Sequence, residues 1–314
     1  MINMPHSPKK RLLKIVVFLF IAFGIYSSAS AQNANPLEAP VYESIREAMA
    51  KDKKATQLNF RDRHLFHISD SIKELQNLRF INLMGNNLEN LNPNLFTLKK
   101  LEVLNLMLNS LKYIPEEIDQ LKNLIRLNLS NNEIAEVPTE INKLKDLRFL
   151  HLSFNYITLL PESINKCKSL EVLELDNNQL SYMPAAFFEL KKLKSLDLGY
   201  NQFNEFNEEW TQLQKLEELN MEYNQLQQLP KEIGTFQNLK SLILNDNRLK
   251  SLPEELSKLE GLELLILSNN QLKIMPNQLD NLKNLKTLIL IGNPIAASEK
   301  ERIKNLLPNC SVYF

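Results

Sequence analysis

Glycine is scarce in this chain: six in 314 residues, none close to another. That excludes a Gly-rich phosphate-cradling loop, a dinucleotide-binding G-x-G-x-x-G and a collagen-like repeat. Two cysteines, Cys167 and Cys310, are too few for a disulfide framework and form no C-x-x-C pair. Histidine is almost as rare. Past residue 31 only His64, His67 and His151 remain, without H-E-x-x-H or G-x-S-x-G. His64 and His67 are spaced to share a metal, but no further soft ligand follows them, so no metal and no cofactor are expected.

Excess charge of one sign is missing as well. The formal net charge is zero, yet Lys9, Lys10, Arg11 and Lys14 stand alone in the first 31 residues, leaving 33 basic against 37 acidic residues beyond them. A mildly acidic body argues against a nucleic-acid partner. Long apolar runs are also lacking. The one candidate, Ile15 to Tyr26, is shorter than the roughly 20 residues of a spanning helix. Following a basic start and ending near Ala29-Ser30-Ala31, it has the layout of an export signal cleaved before Gln32, with an uncleaved anchor as the alternative. An exported protein with no membrane span after cleavage is the expectation.

What the chain does have is leucine and asparagine at a fixed period. The stretch LIRLNLSNNEIAEVPTEINKLKD, residues 124–146, is the pattern for nearly everything around it. Units of the same 23-residue length begin at Ala55, Leu78, Leu101, Leu124, Leu147, Leu170, Leu193, Leu216, Leu239, Leu262 and Leu285, without an insertion. A period of this length means a solenoid, in which each unit buries its apolar side only against its neighbours. The leucines at positions 1, 4 and 6 of a unit enclose a short strand, so positions 3, 5, 7 and 8 are expected on its outward side.

Asn recurs at position 9 as Asn86, Asn109, Asn132, Asn155, Asn178, Asn201, Asn224, Asn247, Asn270 and Asn293, with Arg63 in the first unit. A buried amide there donates to and accepts from backbone groups left without sheet partners, making a structural ladder. Pro115, Pro138, Pro161, Pro184, Pro230, Pro253 and Pro276 fit the first turn of a short helix on the other side, and Asn92 and Asn207 replace them in two units. The unit from Leu193 departs most, with Phe203, Phe206 and Trp210 expected as repacked core. Cys167 takes a leucine position and is expected as a small core hydrophobe, out of disulfide reach of Cys310.

These units resemble the leucine-rich repeat family, and the LPxxIxxL ending is similar to that of bacterial members and of the Ras-suppressor and Scribble group. The resemblance implies an α/β horseshoe with a parallel concave sheet and short helical or extended convex segments. The domain plan is then a signal over 1–31, a linker and capping helix over 32–54, eleven repeats over 55–297 and a C-terminal cap over 298–314. In the first cap Tyr42, Ile45, Ala48 and Met49 share one helical face; in the second, Ser298 and Glu301 form a capping box and Pro308 ends the helix.

Function is expected on the concave side. The early units place Phe80, Met84, Val103, Met107 and Leu108 there, followed by Phe149, His151 and Phe154. The middle units turn acidic and aromatic with Glu174, Asp176, Asp197, Tyr200, Glu218, Glu222 and Tyr223, and the late ones apolar with Ile243, Leu264, Ile266, Ile289 and Ile291. The ligand-binding set is Phe149 through Tyr223, suited to a protein or peptide with a basic segment. Self-association would cover the late isoleucines. Two other classes compete: the Ras-suppressor likeness implies a cytoplasmic regulator of small GTPases, which an export signal opposes, and a glycan-active enzyme would need Asp176 and Asp197 as paired carboxylates.

Overall fold

A computed structural model describes residues 39–52 and 54–314 of the chain. The expected export segment and the linker as far as residue 38 lie outside the described residues. Tyr42–Phe314 forms one compact unit.

Thirteen short strands form one sheet in chain order. They are β1 (Val41–Tyr42), β2 (Gln57–Asn59), β3 (Phe80–Asn82), β4 (Val103–Asn105), β5 (Arg126–Asn128), β6 (Phe149–His151) and β7 (Val172–Glu174). The rest are β8 (Ser195–Asp197), β9 (Glu218–Asn220), β10 (Ser241–Ile243), β11 (Leu264–Ile266), β12 (Thr287–Ile289) and β13 (Ser311–Tyr313). From β2 to β12 each residue pairs in parallel with the one 23 positions on, as Leu196 does with Leu219. The sequence period is therefore the sheet register. The step from β12 to β13, Leu288 to Val312, is 24.

The strands are short because the leucines bracketing them must turn inward. Leu193, Leu196 and Leu198, for instance, are at most 1% exposed. At position 8 the backbone then enters the left-handed region in all eleven units, from Asp62 (φ 54°) to Gly292 (φ 81°). That bend strips backbone groups of sheet partners, and the asparagine at position 9 supplies new ones. Asn201 shows the pattern. Its Oδ1 accepts from the Leu180 N–H of the preceding unit at 2.9 Å, while its Nδ2 donates to Leu175 O (2.9 Å), Leu198 O (3.1 Å) and Gly199 O (3.1 Å). The other nine asparagines likewise bond their own unit and the one before, Asn293 with two donations in place of three, so the ladder is structural.

The convex side consists of short 3₁₀ segments such as Glu116–Gln120 and Lys231–Thr235. Here the expected role of proline is corrected. Pro115 (φ −61°, ψ 146°), Pro138, Pro161, Pro184, Pro230 and Pro253 cap these segments from an extended conformation and do not occupy their first turn, while Pro276 precedes a shorter segment capped at Gln278. The fixed proline φ suits both places, but ψ near 150° sets it just outside. Asn92 replaces proline by capping with its side chain, which accepts from Asn94 N–H at 2.9 Å.

Phe187, Phe188, Phe203, Phe206, Trp210 and Phe236 are all buried, and Trp210 stacks on Phe206 at 5.0 Å, so the aromatic unit is repacked core. Cys167 is buried, with its thiol pushed up to about 11 by burial, and both cysteines are free.

Helix α1 (Ile45–Lys51) begins at Ser44, whose hydroxyl accepts from Glu47 N–H at 3.1 Å. Ala48 is buried as expected; Tyr42, expected on the same helical face, is buried in β1 ahead of the helix, and Met49 is 39% exposed on a groove of about 930 Å³ that Phe60, Leu65 and His67 also line. Helix α2 (Ala297–Leu306) corrects the predicted capping box: its cap is Ala296 and no side chain closes it. Ser298 falls inside the first turn, and Glu299 instead accepts from Met275 N–H at 2.8 Å and pairs with Arg302 at 2.7 Å, tying the helix to the last repeats.

Because each asparagine serves two units, Asn201→Ala is expected to destabilise the chain by about 1–3 kcal/mol. The half-exposed Asn293 at the end of the array should cost less when changed to Ala. Urea denaturation of the two variants against the parent checks this, and equal small losses would refute the ladder's role.

Candidate functional site

Position decides exposure on the concave side, and one expectation needs correcting. Position 5 is not an open surface: Asn82, Asn105, Asn128, His151 and Asn220 are buried, and so are Ile266 and Ile289 further on. The reason is the same bend. A position 5 side chain folds back on the backbone two residues later, as Asn105 Oδ1 accepts from Met107 N–H at 3.1 Å and Asp197 Oδ1 from Gly199 N–H at 3.0 Å. The late apolar residues therefore do not form the exposed patch expected of them, since Leu264, Ile266 and Ile289 are covered and Ile243 and Ile291 half-buried.

Of the predicted ligand set, Phe154, Tyr200, Glu218 and Tyr223 are exposed, Phe149, Glu174, Asp176 and Asp197 half-buried, and His151 and Glu222 buried. The register brings them together. His151, Glu174 and Asp197 are successive neighbours across β6, β7 and β8, and Ser195 lies beside Glu218 across β8 and β9.

The upstream half is internally paired. The Arg126 guanidinium lies 3.9 Å from the centre of the Phe149 ring, and its Nη1 is 3.2 Å from His151 Nε2. An arginine only donates, so Nε2 accepts and Nδ1 carries the proton given to Glu174 Oε2 at 2.7 Å.

The downstream half has no such cation. Asp176 accepts from Ser153 Oγ and, at 2.9 Å, from Asn177 Nδ2; Glu222 accepts from Asn245 Nδ2 at 2.9 Å. Among the described residues no cation lies at ion-pairing distance from Asp176, Asp197, Glu218 or Glu222. The nearby cations are engaged at position 2, where Arg148 and Lys194 bind Glu171 at 2.6 and 3.0 Å, Lys240 binds Glu217 at 2.6 Å and Lys286 binds Glu263 at 2.5 Å. Glu171, hydrogen-bonded by Arg148, is held down at about 2. Burial acts the opposite way on the concave carboxyls. It pushes Asp197 well above the ordinary range, with Asp176 and Glu174 adding to the effect, and it raises Asp176 and Glu222 against their hydrogen bonds.

Two features escaped the sequence reading. The alternating charges at position 2 were visible as Arg148, Glu171, Lys194, Glu217, Lys240, Glu263 and Lys286, but only the register pairs them. The second is the conformation of position 8. Asn131, Asn177, Asp246 and Asn269 tolerate its positive φ, and Gly85 and Gly292 are free to adopt it; Leu108 (57°), Phe154 (55°), Tyr200 (54°) and Tyr223 (49°) are not. Holding a bulky side chain there costs on the order of 1–3 kcal/mol. All four are at least 43% exposed, so burial does not offset that cost. Tyr200 and Tyr223 stack on each other with ring centres 4.2 Å apart.

Family models fall on the same units. A model described as a leucine-rich repeat region matches residues 138–225, one described as leucine rich repeat matches 76–134 and 237–295, and a third of that description matches 215–236. The chain belongs to the leucine-rich repeat proteins. Solved structures of such repeats share the fold. One is a TDR receptor, 29% identical over 92% of this chain with a TM-score of 0.76. Another is the Arabidopsis receptor kinase HAESA in complex with the peptide hormone IDA and the co-receptor SERK1, 28% identical over 76% of this chain with a TM-score of 0.65. An internalin from Listeria monocytogenes, 21% identical over 86% of both chains, has a TM-score of 0.70 and bears on the fold alone. This leucine-rich repeat chain spans only 52% of the TDR receptor chain and 45% of the HAESA chain. No curated protein sequence matches it.

The raised carboxyls carry a pH signature. A group whose folded pKa lies above its unfolded one favours folding in its protonated form, and that contribution is lost as pH rises through the folded value. Asp176→Asn with Asp197→Asn is therefore expected to melt higher than the parent at about pH 7.5 and to lose its advantage toward about pH 4. Thermal melts across that range test it, and an advantage independent of pH would contradict the assignment.

Proposed function

We propose that this leucine-rich repeat protein is a non-catalytic, exported binding module that takes a protein or peptide ligand on its concave face, at the patch running from Phe149 to Tyr223. One observation carries the reading: exposed Phe154, Tyr200 and Tyr223 are held at positive φ beside Asp176, Asp197, Glu218 and Glu222, with which no cation among the described residues pairs. A core gains nothing from such residues, whereas a ligand that is apolar and basic gains contact with both. The HAESA complex supports a peptide ligand for a chain of this fold. A basic segment in the ligand follows from the charge, and export from the composition of the first 31 residues. A hydrolase built on Asp176 and Asp197 is disfavoured by their hydrogen bonds to Ser153 Oγ and Gly199 N–H, which fix both carboxyls to the scaffold.

Charge reversal at Asp197 and Glu222 is the obvious probe, but Glu222 is buried among Asn220 and Asn245, and a lysine there would disturb the fold. The exposed residues give a cleaner test. Phe154→Asn with Glu218→Lys is expected to abolish capture of the partner from the cell envelope or medium, with unchanged circular dichroism and melting at or above the parent, since asparagine relieves the positive φ of residue 154. Capture at parental levels by this double variant would sink the concave-face reading.

A further inference from the structure

The two halves of the concave patch follow one plan, and only one half is complete. Upstream, an aromatic ring, a cation on its face and a carboxylate follow one another: Phe149, then Arg126 at 3.9 Å, with Arg126 joined through His151 to Glu174. Downstream, Tyr200 and Tyr223 supply the rings, and Asp176, Asp197 and Glu222 the carboxylates. The cation is what differs: among the described residues none lies over either tyrosine.

The missing position can be located. Tyr223 covers one face of Tyr200. On the other side the next residue of the row is Asn177, a short side chain whose Nδ2 is bonded to Asp176 Oδ2 at 2.9 Å. Beyond it stands exposed Phe154, two strand spacings from Tyr200, or about 9.6 Å. Asn177 thus has an aromatic residue to either side and the Asp176 carboxylate beside it, surroundings whose chemistry suits a planar cation.

We propose that the gap between Phe154 and Tyr200 is an arginine subsite: a guanidinium from an extended peptide ligand lies on the open face of Tyr200 over Asn177 and pairs with Asp176 and Asp197. This rests on the concave-face reading and names the chemistry recognised there. Arginine fits better than lysine because its flat, weakly hydrated head group stacks on a ring while donating two parallel hydrogen bonds to a carboxylate. The strain held at Tyr200 and Tyr223 then has a use, since asparagine in neighbouring units serves the backbone at lower cost.

The test uses the purified full chain and three fluorescein-labelled octapeptides of glycine and serine carrying two arginines, two lysines or two citrullines. Fluorescence anisotropy should show the arginine peptide binding about tenfold more tightly than the citrulline peptide and more tightly than the lysine peptide. Tyr200→Asn places in this unit the residue that Asn131, Asn177 and Asn269 already are, so it is expected to fold and melt at or above the parent, yet lose the arginine preference. Tyr200→Phe keeps the face and should keep the preference. Equal binding of the arginine and citrulline peptides, no binding of any of the three, or an unaltered preference in Tyr200→Asn overturns the subsite. If that happens while partner capture still depends on Phe154 and Glu218, only the subsite falls; if capture is indifferent to them too, the concave-face reading falls with it.

Discussion

The constraint on which everything else depends is the bend after each strand. Eleven times the chain must leave the sheet through a left-handed residue at position 8, and each time it exposes backbone donors and acceptors that burial would otherwise leave unpaired. The asparagine at position 9 answers this by bonding its own unit and the one before, as Asn201 does with Leu198 and Leu175. Repeated with no insertion, that bond fixes the spacing of the strands and puts every concave side chain in a column with those 23 residues away. Charge, aromaticity and strain are arranged along these columns.

The scaffold was legible because its causes are periodic. Leu193, Leu196, Asn201 and Pro184 recur in kind at a fixed interval, and a 23-residue interval dictates both solenoid and register. What depends on angle was less legible. Proline at ψ near 150° caps the convex turn from outside, which residue type alone does not specify. Ser298 and Glu301 have the spacing of a capping box, but α2 starts at Ala297, placing Ser298 within the helix.

The site was legible in its membership and not in its geometry. Phe154, Tyr200 and Tyr223 stood out as aromatics on the outward side, but strict strand alternation gives position 5 the same exposure as position 8. Asn105 and Asp197 at position 5 bond back to the next turn, and His151, Ile266 and Ile289 at the same position are buried as well, so a row expected as surface is covered. The same fold-back leaves position 8 as the row that meets solvent. There the scaffold accepts strain at Phe154, Tyr200 and Tyr223 in exchange for exposed rings beside unneutralised carboxylates.

The central claim, that a ligand is read along this row, is tested most directly by hydrogen–deuterium exchange of the chain with and without its captured partner. Exchange is expected to slow in the backbone amides after β6, β7, β8 and β9, around Phe154, Asn177, Tyr200 and Tyr223, with the convex 3₁₀ segments unchanged. Protection confined to the convex segments, to the groove beside α1 or to the α2 cap would contradict it.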